Sequence, residues 1–190
     1  EDGTWWLSNL LRGQVGTESE AKIGAATNAR AVLLSPAVSP IEFSNDLRGI
    51  EFEWQAGPES EIPDTDNFTM RLLAPNLRAL MPLSPVHLRA KRVGSDIKLS
   101  WIRRTRVGGD SWQGEVPLGE TFERYRLTVF DGETALKTVE VAQPEYLYDS
   151  ADIAADFGIT PPDDIISISV VQLSDAVGDG IAAHRELSIE

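Results

Sequence analysis

Asp96-Ile-Lys-Leu-Ser-Trp101 is the stretch on which the fold turns. Ile97, Leu99 and Trp101 fall on one side of an extended chain, and Lys98 and Ser100 fall on the other. That period of two marks a strand with one face in a core. The pattern recurs outward in both directions. Ile50-Glu-Phe-Glu-Trp54 puts Ile50, Phe52 and Trp54 on one face and two glutamates on the other. Tyr125-Arg-Leu-Thr-Val129 and Ile166-Ser-Ile-Ser-Val170 repeat it, and Leu187-Ser-Ile189 closes the series. After Val170 the apolar residues Val171 and Leu173 run in the opposite phase, which predicts a bulge or a change of face there. Eleven prolines and fifteen glycines spread along 190 residues supply the turns between short strands. The class expected is all-β.

Two short helices interrupt the strands. Thr17-Glu-Ser-Glu20 is a capping-box pattern ahead of Ala21 and Ile23. Ser150 is expected to cap Ala151–Phe157, with Gly158 as its stop. The boundary between units is placed in Leu80-Met-Pro-Leu-Ser-Pro85, where two prolines impose a stiff, extended connector. Residues 1–84 then form a β-rich unit, either closed or lacking partners that lie upstream. Residues 85–190 have the length of one β-sandwich.

Composition restricts function. Lys and Arg total 17 and Asp and Glu total 30, a formal charge of −13. Phosphate backbones and anionic membranes repel such a chain, so no nucleic-acid partner is expected. A hydrophobic content of 42% argues against disorder. No apolar run is long enough to span a bilayer. Without cysteine there is no disulfide, thiolate metal site or cysteine nucleophile. The chain begins at Glu1, which reads as a mature product or the excised end of something longer. Charge is also uneven. Val86–Arg106 holds seven basic residues and one acidic, whereas Glu145–Glu190 holds ten acidic and one basic. Two readings follow: the second unit docks head to tail on a complementary neighbour, or the two stretches neutralise each other across one sheet.

Chemistry-bearing motifs are sparse. His87 alternates with Val86 and Leu88 on a polar strand face, and His184 lies at a loop edge. Neither has a nucleophile motif beside it. The acidic pairs Asp64/Asp66, Asp163/Asp164 and Asp152/Asp156 are spaced as glycosidase carboxylates can be, but acidic residues are abundant enough for chance pairs. Asp64-Thr-Asp-Asn67 lacks the glycine and glutamate of a calcium loop. No phosphate-binding glycine loop is present. No catalytic residue, metal site or cofactor is therefore expected. Aromatics and arginines remain. Trp54 and Trp101 are expected in the core. Trp5 and Trp6 are adjacent, so one faces water or a missing partner. Trp112, in the glycine-rich loop 107–114 with Asp110, could stack on a sugar, fill a neighbour's pocket, or fold over Arg103 or Arg104. Arg103, Arg104 and Arg106 suit carboxylate partners, with the acidic C-terminal half as the expected source.

The second unit resembles a fibronectin type III sandwich. Pro85-Val-His-Leu-Arg-Ala90 stands where its first strand does, and Asp96–Trp101 where the second ends in the core tryptophan. Tyr125–Phe130 with Asp131-Gly132, and Ile165–Leu173 with Glu186–Ile189, match the third strand and the last hairpin. Ile165-Ile166 occupies the place of the usual corner tyrosine. A wider resemblance rests on Leu10-Leu-Arg-Gly-Gln-Val-Gly-Thr-Glu18, Ser100-Trp-Ile-Arg-Arg-Thr-Arg106, Gly109-Asp-Ser-Trp112, Val116-Pro-Leu-Gly-Glu120 and Gln172-Leu-Ser-Asp-Ala-Val-Gly178. Together they resemble the C-terminal part of the multidomain baseplate ("megatron") tail proteins of gene transfer agents and related alphaproteobacterial phages. Their glycoside-hydrolase-like barrel lies upstream and has no counterpart in these strands. The resemblance implies a non-catalytic module at a tail tip, extracellular after release. Its partners would be other baseplate proteins and, alternatively, a host-envelope glycan.

Overall fold

Strand Asp96–Ile102 lies at the centre of a three-stranded sheet. Its inward residues Ile97, Leu99 and Trp101 are all buried. The computed structural model describes residues 6–33, 35–36, 38, 41, 44–47, 49–63, 66–75, 77–109, 114, 116–158, 162 and 164–190. In chain order the elements are α1 (Glu18–Ile23), β1 (Phe52–Ala56), β2 (Thr69–Leu73), β3 (Val86–Val93), β4 (Asp96–Ile102), β5 (Tyr125–Asp131), β6 (Thr134–Val141), β7 (Glu145–Tyr148), α2 (Ser150–Phe157), β8 (Ile165–Ser174), β9 (Gly178–Asp179) and β10 (Ala183–Ser188). Short 3-10 turns occupy Gln14–Gly16, Asn45–Leu47 and Arg78–Leu80.

Two antiparallel sheets make the sandwich. One runs β3-β4-β7, and the other runs β10-β8-β5-β6 with β9 attached to β8. The two-residue hairpin loops at β3–β4 and β5–β6 each put glycine first, Gly94 at φ 65° and Gly132 at φ 58°. Only glycine takes that left-handed position without a steric cost. Between the sheets lies one core, built from Ile97, Leu99, Trp101, Tyr125, Leu127, Val129, Tyr148, Ile166, Ile168 and Val170, with Ile153 of α2. Each such side chain contributes roughly 1.5–3 kcal/mol of burial. Trp101 and Tyr125 meet edge to face at 5.3 Å, worth roughly 1 kcal/mol more. The alternation led to the all-β class, and the resemblance of the second unit implied this fibronectin III/immunoglobulin-like sandwich.

Three local expectations change. No bulge occurs near Val170: β8 pairs with β5 without a break from Ser167 to Gln172. The inward row simply continues into Gln172, and Leu173, on the opposite face where β9 pairs with β8, is also buried. The cap of α2 is Asp149, not Ser150. The Asp149 carboxylate accepts from Asp152 N at 2.8 Å, while Ser150 N donates to Asp96 Oδ1. Gly158 does stop the helix. At α1 the Thr17 hydroxyl bonds back to Gln14 O rather than capping forward. Glu20 meanwhile pairs with Arg78, whose Nη2 lies 2.7 Å from its carboxylate.

The first unit is organised differently. β1 and β2 form a separate two-stranded sheet, with no third strand among the described residues. Trp54, expected in the core, is only half-buried and is not part of the sandwich core; it lines an open cleft with Ile41, Ser44 and Leu47. Its Nε1 donates to Leu73 O at 3.0 Å. Residues 14–23 and 78–83 form a strap along the sandwich. Pro82 and Pro85 are buried, and Pro82 O accepts from Ile181 N at 2.9 Å.

Candidate functional site

Arg103, Arg104 and Arg106 leave the end of β4 in sequence, and each is held from a different direction. Arg103 donates to the carbonyls of Pro117 and Val116 at 2.8 and 2.5 Å and lies 3.8 Å from Glu123. Arg104 turns the other way, to Glu18 of α1 at 2.6 Å. Arg106 bonds Glu120 at 3.0 Å and Gly119 O at 3.3 Å. The planar guanidinium suits this work because one fork can hold two acceptors. The cluster thus ties segment 116–123 to the end of β4 and ties α1 to the sandwich. The carboxylates come from Glu18, Glu120 and Glu123, not from the acidic C-terminal stretch. That stretch meets the basic one across neighbouring strands at Lys98–Glu145, 2.8 Å apart.

The electrostatics follow. Burial raises the Glu18 pKa, but its backbone hydrogen bond and the Arg104 and Arg78 guanidiniums outweigh that, and the net shift is downward. Tyr125, which donates to Glu123 at 2.6 Å, is pushed up by burial first and by that carboxylate second.

Of the other candidate residues, Asp110 and Trp112 lie outside the described residues, as does Trp5. Trp6 is 90% exposed. The cation–π contact in this region is Arg124 over Phe122, at 5.0 Å. Asp152 and Asp156 do sit side by side, but around Lys137, at 2.9 and 3.8 Å. The phenols of Tyr146 and Tyr148 donate to them at 3.2 and 2.7 Å. The bond from Lys137 lowers the Asp152 pKa, the reverse of what a general acid needs. Asp64 and Asp163 lie outside the described residues. Asn67 donates to Glu61 at 2.9 Å. No group of three or more acidic or histidine side chains that could hold a metal occurs among the described residues. His87 is exposed, and His184 belongs to β10, not to a loop edge, with its ring edge-on to Phe130 at 5.2 Å. Among the described residues no helix is long and apolar enough to cross a membrane.

Two clefts were not legible in the motifs. One, of about 500 Å³, is lined by Trp54, Phe52, Glu53, Ser44, Ile41 and Leu47. The other, of about 350 Å³, lies where α1 meets β3 and β10.

No family model matches the sequence, and no curated protein matches it. Among solved structures the chain is similar to domains d3–d4 of the rat CD45 extracellular region (13% identity, 84% of this chain and 74% of that one, TM-score 0.39). It is similar to the Clostridium perfringens spore cortex lytic enzyme SleM (14%, 72% of this chain and 38% of that one, TM-score 0.35). It is also similar to the FN5 domain of Drosophila Lar (19%, 57% and 96%, TM-score 0.32). These are likenesses of architecture. The two sheets define the fold without them.

Proposed function

We propose that this chain is a non-catalytic assembly module of a phage-like tail baseplate, exposed at the tail tip after release. One observation carries the assembly reading: the unequal finish of the two units. The sandwich closes its own core. The first unit leaves Trp6, Leu11, Ile23 and Leu33 at 87–90% exposure and a hairpin with Met70, Leu72 and Leu73 in the open. Apolar surface of this extent is a place for a neighbour. The arginines and the Asp152/Asp156 pair are committed to internal bonds that hold loops, which favours a scaffold over a catalyst. Placement in a tail rests on the sequence resemblance alone. Immunogold labelling of tail particles from the source strain tests it. Gold at the tail tip supports the baseplate, and particles without label overturn it. Release of reducing sugar from cell-wall glycan by the purified chain would overturn the non-catalytic reading.

A second reading, recognition of an envelope glycan, is favoured by the open cleft beside Trp54. An indole wall with Glu53 and Ser44 at hand suits a sugar ring. Glycan that quenches tryptophan fluorescence in the native chain, and not in Trp54→Ala, would support this reading over the first.

A further inference from the structure

We propose that the open seam between β3 and β10 is a docking groove for an extended acidic segment of a partner protein, with Lys22 and Arg185 receiving its carboxylates. β3 and β10 are edge strands of opposite sheets and run beside each other. Their lower halves are sealed. Ala90 and Ile189 form a parallel bridge, Arg92 N donates to Glu190 O at 2.8 Å, and Glu190 N donates to Ala90 O at 3.0 Å. The upper halves are not. There the register of β3 on β4 breaks between Val86 and Arg89, and His87 sits in the break at φ 51°. A left-handed histidine inside a strand is strained, and such strain collects where a fold is shaped for contact. The cleft of about 350 Å³ opens at this point, with α1 along one side.

Arg185 shows that the seam is open. It shares the inward row of β10 with Ala183 and Leu187, yet it is exposed, lining the cleft that separates it from Val86 and Leu88 of β3. Its Nη1 donates to the neighbouring carbonyl of His184 at 2.7 Å. Neither Arg185 nor Lys22 has a carboxylate partner among the described residues, although the chain carries −13 overall. Arg104 is engaged by one Glu18 oxygen, and the other, Oε2, is buried without a hydrogen bond. The floor is apolar, from Leu88, Ala183 and Leu187. A cationic rim over an apolar floor between two free strand edges fits a segment that alternates acidic and apolar side chains and adds as a strand. The open length of β10 admits about five residues at roughly 3.3 Å each.

This inference rests on the binding-module reading but not on the tail placement. The test is fluorescence anisotropy of the full chain with a labelled peptide alternating glutamate and valine. The controls are the glutamine analogue, free glutamate as competitor, and the chain carrying Lys22→Glu and Arg185→Glu. Both substituted side chains are exposed and outside the core, and circular dichroism checks that the variant folds. The expected result is saturable binding that weakens about tenfold in the variant, in the glutamine peptide, and on raising salt. Equal binding by the variant or the glutamine peptide overturns the proposal. So does competition by free glutamate at the peptide's own potency, which would make this a small-anion site. Self-association that the variant abolishes would reassign the groove to a second copy. No binding at all would leave Arg185 as a charge that merely guards a strand edge. The immunogold result is unaffected by any of these outcomes.

Discussion

Gln172 is the least comfortable residue in the core. It is 1% exposed, and neither its amide oxygen nor its amide nitrogen has a hydrogen-bond partner among the described residues. A buried amide left in that state costs about 1–3 kcal/mol. Gln172→Leu keeps the bulk and removes the unmet polarity, so the urea midpoint is expected to rise by the equivalent of about 1 kcal/mol. A fall would mean that the amide is bonded in solution, for instance by a buried water. The three tyrosines make a second case. Burial is the first cause raising each of Tyr125, Tyr146 and Tyr148 above the ordinary value of 10.0, and their bonds to Glu123, Asp152 and Asp156 add to it. The folded chain therefore holds these protons more tightly than the unfolded chain does. The corresponding stability is complete below pH 10 and is lost as pH rises further. Tyrosinate absorbance is expected to grow together with the loss of circular dichroism. A rise that precedes unfolding would contradict the buried phenols.

At the scale of elements, α2 depends on its cap. Asp149→Ala removes the acceptor for Asp152 N and is expected to cost about 1 kcal/mol in denaturant unfolding, whereas Ser150→Ala should cost little. The sequence pointed one residue too far along because serine and aspartate are equally good caps, and only the backbone at Asp149, extended at ψ 161°, separates them. Strands were legible where one face is fully buried, as in β4, β5 and β8, since burial enforces the alternation. β6 escaped notice because it is an edge strand exposed on parts of both faces, and β7 because four residues are too few for a period. Trp54 shows the limit from the other side. Alternation reports that a strand has an apolar face, not that anything covers it. The arginine cluster was legible as a set of cations in search of carboxylates. Its partners were not, because Glu18, Glu120 and Glu123 reach it through loops and a helix whose course no periodicity encodes. The groove had one readable signal, the charged Arg185 inside the apolar row Ala183-x-Arg-x-Leu187.

Over the whole molecule, stability is expected to be graded, because the buried core is drawn entirely from residues between Leu88 and Ile189. Among the described residues β1 and β2 pair with each other and with no further strand, and an isolated hairpin is marginal in water. The strap lies between these extremes. It is held by Arg78 on Glu20, Arg104 on Glu18, and the packing of Gly16 and Pro82 against the segment around Ile181. Partly exposed ion pairs contribute little singly, so the close backbone approach matters more. At Gly180 a β-carbon would lie 2.7 Å from Gln172 O and 2.8 Å from both Pro82 O and Pro82 Cβ. Those are main-chain and ring atoms that cannot rotate away. Gly180→Ala should therefore lift the strap, with a stability loss of about 2 kcal/mol if the overpacking is relieved only in part. Limited proteolysis reads both expectations at once, since cleavage follows local opening. In the native chain, cuts should fall within residues 24–73 first and leave a resistant fragment that begins near residues 78–85, identified by its mass. In Gly180→Ala the start of that fragment should move past Pro85 to the first residues of β3. Should the native chain resist cleavage throughout 24–73, the exposed apolar residues would be covered within the free molecule, and the assembly reading would lose its support. Should Gly180→Ala leave the fragment unchanged, the strap would be held by its ion pairs after all, and Arg78→Ala would then be the variant that frees it.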